Sequence, residues 1–272
     1  MKENEILYKQ QISDNIIEFK IHSSLVSKNC LPGQFVIIRA NDKSERIPLT
    51  IFKYNREEKA ISVLVQNIGF STREICNLGV GDCVSDLLGP LGNHTELIGD
   101  KFLLVSGGIG LAVIYSQAIK MKTEGKRVDI ILAAKTKDLI FYEDEISKWA
   151  DNLYIVTDDG SYGNKGYAVD ELKRVLDKNT YDAVFAVGPM IMMKTICDAT
   201  RGKKIKTVVS MNSIMVDGTG MCGSCRLSYD SKIKYACIDG PEFDGHLINF
   251  DEAIKRSKIY NEHEHKCNLR DK

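Results

Sequence analysis

In the first third of the chain, hydrophobic and polar residues alternate with period two and are interrupted often by turn residues. Segments 6–12, 16–21, 34–39 and 60–65 carry this alternation. Short strands at that spacing predict an antiparallel barrel or sandwich. Its last strand is expected to start at Asp82, and Gly89-Pro90-Leu91-Gly92 is expected to close that strand as a turn.

After residue 100 the rhythm changes. Continuous apolar runs at 102–106, 128–134, 153–157, 183–187 and 207–210 alternate with stretches of helical length such as 112–122 and 169–178. Runs without alternation are expected of strands buried on both faces, and strand–helix alternation of this kind predicts a doubly wound parallel α/β domain. A further helix is expected at 251–260, followed by a polar tail at 261–272.

Between the last run and that helix lies the stretch with the most chemistry, Asp217-Gly-Thr-Gly-Met-Cys222-Gly-Ser-Cys225, followed by Cys237 after a hairpin-like segment. Plant-type [2Fe–2S] sites space their ligands as C-x4-C-x2-C with a later Cys. This chain has D-x4-C-x2-C with a later Cys, so a carboxylate stands where the first thiolate is expected. Gly218, Gly220 and Gly223 suit a backbone that must wrap an anionic cluster and aim N–H groups at its sulfurs. The same three cysteines with His246 would make a Cys3His zinc site, and the spacing leaves that alternative open.

Two glycine turns follow predicted strands. Gly107-Gly108-Ile109-Gly110 lies between the run ending at Ser106 and a predicted helix, where glycines let a pyrophosphate approach a helix N-terminus. Gly188-Pro189-Met190 follows the strand ending at Val187, at the sheet edge where ligands of open α/β folds gather. Met192 and Met193 read as helix packing. Asp158 and Asp159 end a third strand. Acidic groups there accept from ribose hydroxyls and repel a 2′-phosphate, which favours NAD(H) over NADP(H). In the first domain the flavin-contact candidates are Arg46, Pro48, Leu49 and Thr50, together with Gly69, Ser71 and Thr72 at an expected helix start. For each turn or cap, the alternative is an ordinary structural one.

Composition narrows the classes. The 272 residues suit two domains. Lys plus Arg and Asp plus Glu both number 37, so no charge bias points to nucleic acid or an anionic membrane. The N-terminus has no apolar signal region and no run approaches the ~20 apolar residues of a membrane span, so a cytoplasmic protein is expected. Disulfides are not expected there. Cys30, Cys76, Cys83, Cys197 and Cys267, scattered without ligand spacing, read as core or surface thiols.

Barrel, nucleotide domain and cluster loop together resemble the ferredoxin–NADP reductase superfamily, and within it the small-subunit family of NADH-dependent reduced ferredoxin:NADP oxidoreductases. Pro32-Gly-Gln-Phe35, residues 46–50, 89–92, 107–110, 157–161, 188–189 and above all 211–226 carry the resemblance. It implies a FAD-binding β-barrel at 1–97, an NAD(H)-binding α/β domain at 98–210, a [2Fe–2S] module at 211–250 and a terminal helix and tail at 251–272. It further implies that Asp217, Cys222, Cys225 and Cys237 hold the cluster. Arg46 stands one residue further from Thr50 than in the superfamily's Arg-x-Tyr-Ser/Thr motif and no Tyr occurs, so Leu49 or Pro48 is expected to cover the flavin. The implied activity is electron transfer between NAD(H), FAD and the cluster, within an electron-bifurcating ferredoxin:NADP transhydrogenase. The implied partner is a larger flavin and iron–sulfur subunit, similar to the glutamate synthase small subunit, that binds NADP(H) and ferredoxin. Electron-transfer subunits of dihydroorotate dehydrogenase share the layout with four cluster cysteines, and similar proteins are known as sulfide dehydrogenase subunits. A reading of another class is a zinc-stapled nucleotide-sensing regulator.

Overall fold

The structure is a computed structural model that describes residues 1–260; Cys267 and the tail at 261–272 lie outside the described residues. The chain forms two compact units. One comprises Met1–Asn93, Ser213–Pro241 and the segment from Asp251 on; the other comprises His94–Asn212 and Glu242–Phe250. Among the described residues no helix is long and apolar enough to cross a membrane.

The first unit is built on β1 (Ile6–Ser13), β2 (Ile16–His22), β3 (Phe35–Arg39), β4 (Ile47–Asn55), β5 (Ala60–Gln66) and β6 (Asp86–Leu91), with α1 (Ser24–Asn29) and α2 (Phe70–Asn77) in the connections. All pairings are antiparallel, in the order β1-β2-β5-β4-β3-β6. Hydrogen bonds from Ile6 N–H to the Asp82 carbonyl and from Val84 N–H to the Asn4 carbonyl bring the β1 edge back to the lead-in of β6 and curl the sheet into a barrel. Inward residues Ile17, Phe19, Ile21, Val36, Ile38, Ile51, Ile61, Val63 and Val65 fill it, as the period-two pattern predicts. The expected turn at 89–92 is different in the structure. Gly89 and Pro90 lie within β6, an edge strand paired to β3, where a missing N–H is tolerated. Gly89 is needed for closeness, since a Cβ there would stand 2.7 Å from the Val36 side chain.

The second unit is a parallel sheet of β7 (Lys101–Gly107), β8 (Arg127–Ala134), β9 (Asn152–Thr157), β10 (Asn164–Lys165), β11 (Ala183–Val187) and β12 (Lys206–Ser210), ordered β10-β9-β8-β7-β11-β12. Helices α3 (Leu111–Thr123), α4 (Glu143–Ser147), α5 (Ala168–Leu176) and α6 (Met190–Gly202) make the connections. The core strands are buried almost throughout, as their unbroken apolar runs require. Asp129, fully buried on β8, is satisfied by Tyr181 Oη at 2.5 Å and Asn152 Nδ2 at 2.9 Å.

The stretch expected as one cluster module, 211–250, is divided between the units. A hairpin, β13 (Arg226–Tyr229) and β14 (Lys232–Tyr235), belongs to the first unit. β15 (Glu242–Asp244) joins the second sheet, antiparallel to β12, with Ser210 opposite Glu242. The terminal helix α7 spans Phe250–Ser257, close to the expected 251–260.

Candidate functional site

The cluster loop turns on Gly218, Gly220 and Gly223, with φ of +74°, +86° and +70°. At two of them space also excludes a side chain. A Cβ on Gly218 would stand 2.9 Å from Ile37 of the barrel, and one on Gly220 would stand 2.7 Å from Ile238. The Asp217 carboxylate accepts from the N–H groups of Thr219 and Cys222, each at 2.8 Å. The Thr219 bond is the chief reason its carboxyl is held below the usual range. A carboxylate oxygen has a second lone pair, so Asp217 keeps acceptor capacity as an ionised oxygen ligand.

Each sulfur receives a backbone N–H: Cys222 from Ser224 at 3.5 Å, Cys225 from Cys237 at 3.5 Å, and Cys237 from Gly220. Hydrogen bonding by Ser224 lowers the exposed Cys222 thiol. Burial, with Cys225 beside it at 3.2 Å, raises the Cys237 thiol. Among the described residues no three His, Cys, Asp or Glu side chains converge on one metal position. Cys225 and Cys237 are together, Cys222 faces solvent, and Asp217 is drawn into its own turn. The donor set nevertheless fits an iron–sulfur group, because each of the three sulfurs has a backbone N–H donor of its own, and such donors stabilise anionic sulfur. The fourth ligand a Cys3His zinc site would need, His246, has its ring engaged elsewhere, with Nε2 3.0 Å from Thr200 Oγ1 and Nδ1 3.9 Å from Asp244.

The two glycine turns meet at the topological switch point, where β7 and β11 run side by side and the chain order reverses. A Cβ on Gly110 would stand 2.5 Å from the Val187 carbonyl oxygen, so α3 can start there only on a glycine. Gly108, at φ +56°, has no atom within 4 Å of its would-be Cβ and leaves its side of the turn open. Met190, the first residue of α6, is buried. Met192, expected as plain packing, lies over both turns: a Cβ on Gly107 would be 2.7 Å from its sulfur and one on Gly188 2.6 Å from its methyl. Sulfur spacing gave no signal for this, because a first-turn methionine reads the same whether it faces a core or a crevice. At the end of β9, Asp158 is exposed. Asp159 accepts from the Ser161 N–H at 2.9 Å and its hydroxyl at 2.7 Å, which holds its carboxyl low.

On the barrel, Pro48, Leu49 and Thr50 lie on the partly exposed stretch of β4, opposite Ile37, Val36 and Phe35 of β3. Arg46 reaches Asp86 of β6 at 3.2 Å, and Arg39 reaches the same carboxylate at 2.8 Å. Burial pushes the Asp86 carboxyl up, but the two guanidinium groups outweigh it. Gly69 precedes α2, and the hydroxyl oxygens of Ser71 and Thr72 accept hydrogen bonds within the fold. Thr72 Oγ1 accepts from the N–H groups of Ile68 and Gly69 at 3.1 and 2.9 Å, and Ser71 Oγ accepts from the Glu45 N–H at 3.1 Å. A hydroxyl three residues into a helix finds the nearest orphan donors first.

Residues 212–249 match the iron–sulfur cluster binding domain of dihydroorotate dehydrogenase B. The chain is 43% identical over 262 residues to the dihydroorotate dehydrogenase B (NAD(+)), electron transfer subunit homolog of Thermotoga maritima, covering 96% of this chain and 93% of the relative. It is 32% identical to the corresponding electron transfer subunit of Fusobacterium nucleatum, over 86% of this chain and 92% of that one. Among solved structures, a chain from work on flavin-based electron bifurcation by the NADH-dependent reduced ferredoxin-NADP oxidoreductase is 41% identical, with TM-score 0.93, covering 99% of this chain and 98% of its own. The cytochrome P450 reductase GcoB of Amycolatopsis, 18% identical with TM-score 0.64 over 74% of this chain and 65% of its own, shares the fold.

Proposed function

We propose that this chain, which belongs to the family of dihydroorotate dehydrogenase B electron transfer subunits and their homologues, moves electrons between NAD(H), FAD and a [2Fe–2S] cluster as the small subunit of an NADH-dependent reduced ferredoxin–NADP oxidoreductase. The observation that carries this reading is the full-length similarity to the chain of that enzyme, with Asp217 standing where a four-cysteine site has its first thiolate.

Bound FAD would supply the means to take one hydride, carrying two electrons, from a nicotinamide and to pass the electrons on singly, and a [2Fe–2S] cluster would exchange one electron at a time. The chain's own contribution is placement and charge. Cys222, Cys225 and Cys237 would bind iron as thiolates, losing protons that burial makes Cys237 reluctant to lose in the free thiol. Asp217, already ionised and fixed by two N–H donors, would bind as a hard oxygen ligand. Arg46, oriented by Asp86, would face a flavin phosphate, while Pro48 and Thr50, on the opposite face of the strand from the core-packed Leu49, offer a surface to the flavin, and the N–H groups at the Gly69 end of α2, with Ser71 and Thr72 fixing that turn, add positive dipole. Gly107, Gly108, Gly110, Gly188, Pro189 and Met190 shape the dinucleotide turn, and Asp158 and Asp159 disfavour a 2′-phosphate. The partner is a larger flavin and iron–sulfur subunit binding NADP(H) and ferredoxin, and the complex works in the cytoplasm.

A second reading, an electron transfer subunit of dihydroorotate dehydrogenase, is favoured by the names of the relatives. Anaerobic purification, with iron, sulfide, zinc and FAD quantified and a visible spectrum recorded, tests the proposal. Equal iron and sulfide with stoichiometric FAD, and flavin bleaching faster with NADH than with NADPH, is the expected outcome. A colourless zinc protein overturns it. A dihydroorotate-oxidising partner that co-purifies supports the second reading.

A further inference from the structure

The most anomalous buried group outside the cofactor loops is Glu242. The chain leaves the first unit at Pro241 and enters the second as β15, so Glu242 is the first residue after the crossing. It is only 6% exposed. Its Oε1 accepts from Gln117 Nε2 at 2.9 Å, and Gln117, on α3, is itself 2% exposed. Thr95 also hydrogen-bonds the carboxyl. Oε2 is buried without a hydrogen-bond partner. A carboxylate with one orphan oxygen is a poor occupant of such a site, and a neutral carboxylic acid is a better one.

The charged and titratable groups that face Glu242 are few. From α3 comes Lys120, with His94 of the segment before β7 against its ammonium. From β12 comes the neutral Ser210. On β15 itself Asp244 stands two residues along, its carboxylate accepting the His246 N–H at 2.9 Å. Burial pushes the Glu242 carboxyl up to about 7, against the opposing hydrogen bonds of Thr95 and Gln117 and the charge of Lys120.

The helix that holds Glu242 is the one that opens at the dinucleotide turn. Gln117 lies six residues beyond Leu111, the first residue of α3, and at ~1.5 Å per residue the carboxyl is on the order of 10 Å from that helix start. A dinucleotide diphosphate held there is anionic, and two like charges across a protein interior at this distance repel appreciably. We propose that Glu242 is the group through which dinucleotide binding takes up a proton from solvent: the bound diphosphate favours neutral Glu242, and neutral Glu242 in turn favours the bound diphosphate. The inference rests on the reading that the diphosphate sits at the Gly107–Gly110 turn.

ADP-ribose is the probe, because it carries the diphosphate without the redox chemistry. Calorimetric titration of the full-length holoprotein is run from pH 6 to pH 8.5, in buffers of different ionisation enthalpy. Wild-type protein is expected to bind about five- to tenfold more tightly at pH 6 than at pH 8.5, with proton uptake greatest just above neutrality. Glu242→Gln removes both effects, whereas His94→Gln keeps them. Gln117→Leu, which withdraws a donor from the ionised carboxylate, moves the midpoint to higher pH and tests the idea even if the Glu242 variant does not fold. Wild-type affinity that is flat with pH overturns the proposal, as does Glu242→Gln with wild-type pH dependence, while the diphosphate assignment stands in both cases. No ADP-ribose binding at any pH removes the diphosphate assignment and the proposal with it.

Discussion

Gly110→Ala puts the contact between the two glycine turns to a direct test. Gly110 has φ −55° and ψ −17°, ordinary helical backbone, so alanine brings no backbone strain. By propensity alone, alanine at a helix start would stabilise by up to ~1 kcal/mol. The opposing term is steric. The new Cβ stands 2.5 Å from the Val187 carbonyl oxygen, 2.8 Å from its carbon and 3.2 Å from the Gly188 nitrogen. These are backbone atoms and cannot rotate away, so α3 and the end of β11 must separate by close to 1 Å to reach ordinary contact. Overpacking of this kind costs ~1–3 kcal/mol. The net expectation is a loss of ~1–2 kcal/mol, a fall in Tm of a few degrees, and at least about tenfold weaker ADP-ribose binding, since a displacement near 1 Å at a positioning turn is costly. Thermal and urea unfolding followed by circular dichroism, with calorimetric titration of the folded variant, measure both. Gly202→Ala at the end of α6 is the control: its Cβ meets nothing within 4 Å, and it should match or exceed wild-type stability. A Gly110→Ala protein with wild-type Tm and wild-type affinity would refute the close contact of the turns and their role in binding.

Glu242→Gln should also change how stability depends on pH. The folded carboxyl is raised from 4.5 to about 7, so between those values the folded state binds more protons than the unfolded one and wild-type stability falls as pH rises, by ~3 kcal/mol in all before levelling off above pH 7; glutamine removes this slope, making the variant the more stable protein at pH 8 but not at pH 4.5, as read by urea unfolding at each pH. Asp217→Ala should purify with iron and sulfide depleted and FAD retained, while Asp217→Cys keeps iron with an altered electron paramagnetic resonance spectrum; an unchanged iron content in the alanine variant and an unchanged spectrum in the cysteine variant would remove Asp217 from the ligand set.

Much of the fold was legible because its strands obey simple burial rules. The runs at 128–134 and 183–187 read as two-face-buried strands and became β8 and β11 with almost the same bounds. Alternation at 16–21 and 60–65 gave β2 and β5. What failed did so where a long-range partner decides the local conformation. Gly89 and Pro90 are turn formers by composition, yet the edge position beside β3 makes them strand. β15 is three residues long, begins with a glutamate, and is a strand only because β12 offers it an edge. The site divides along the same line. Glycines at fixed spacing marked the tight turns at 107–110, 188 and 218–223, because few other residues meet those backbone demands. The hydroxyls of Ser71 and Thr72 carried no such signature: Thr72 takes up local donors at the start of α2, and Ser71 accepts from the distant Glu45 N–H.

The division of residues 211–250 has a consequence that sequence spacing hides. Cys237 and Glu242 are five residues apart, yet one is fixed by the barrel unit and the other by the sheet of the nucleotide unit. On the barrel side, Asn93 Nδ2 donates to the Ile238 carbonyl at 2.7 Å and the Asn93 N–H to the Gly240 carbonyl at 2.6 Å, so the chain just past the last cysteine is held by the last residue of the barrel unit. On the sheet side, Gln117 and Thr95 hold Glu242. Each anchor lies within its own unit. Inserting two glycines after Gly240 leaves both sets of hydrogen bonds in place and should preserve proton uptake by Glu242 on ADP-ribose binding, read by the same calorimetric titration; loss of that uptake would show that Glu242 depends on the register of the chain before it.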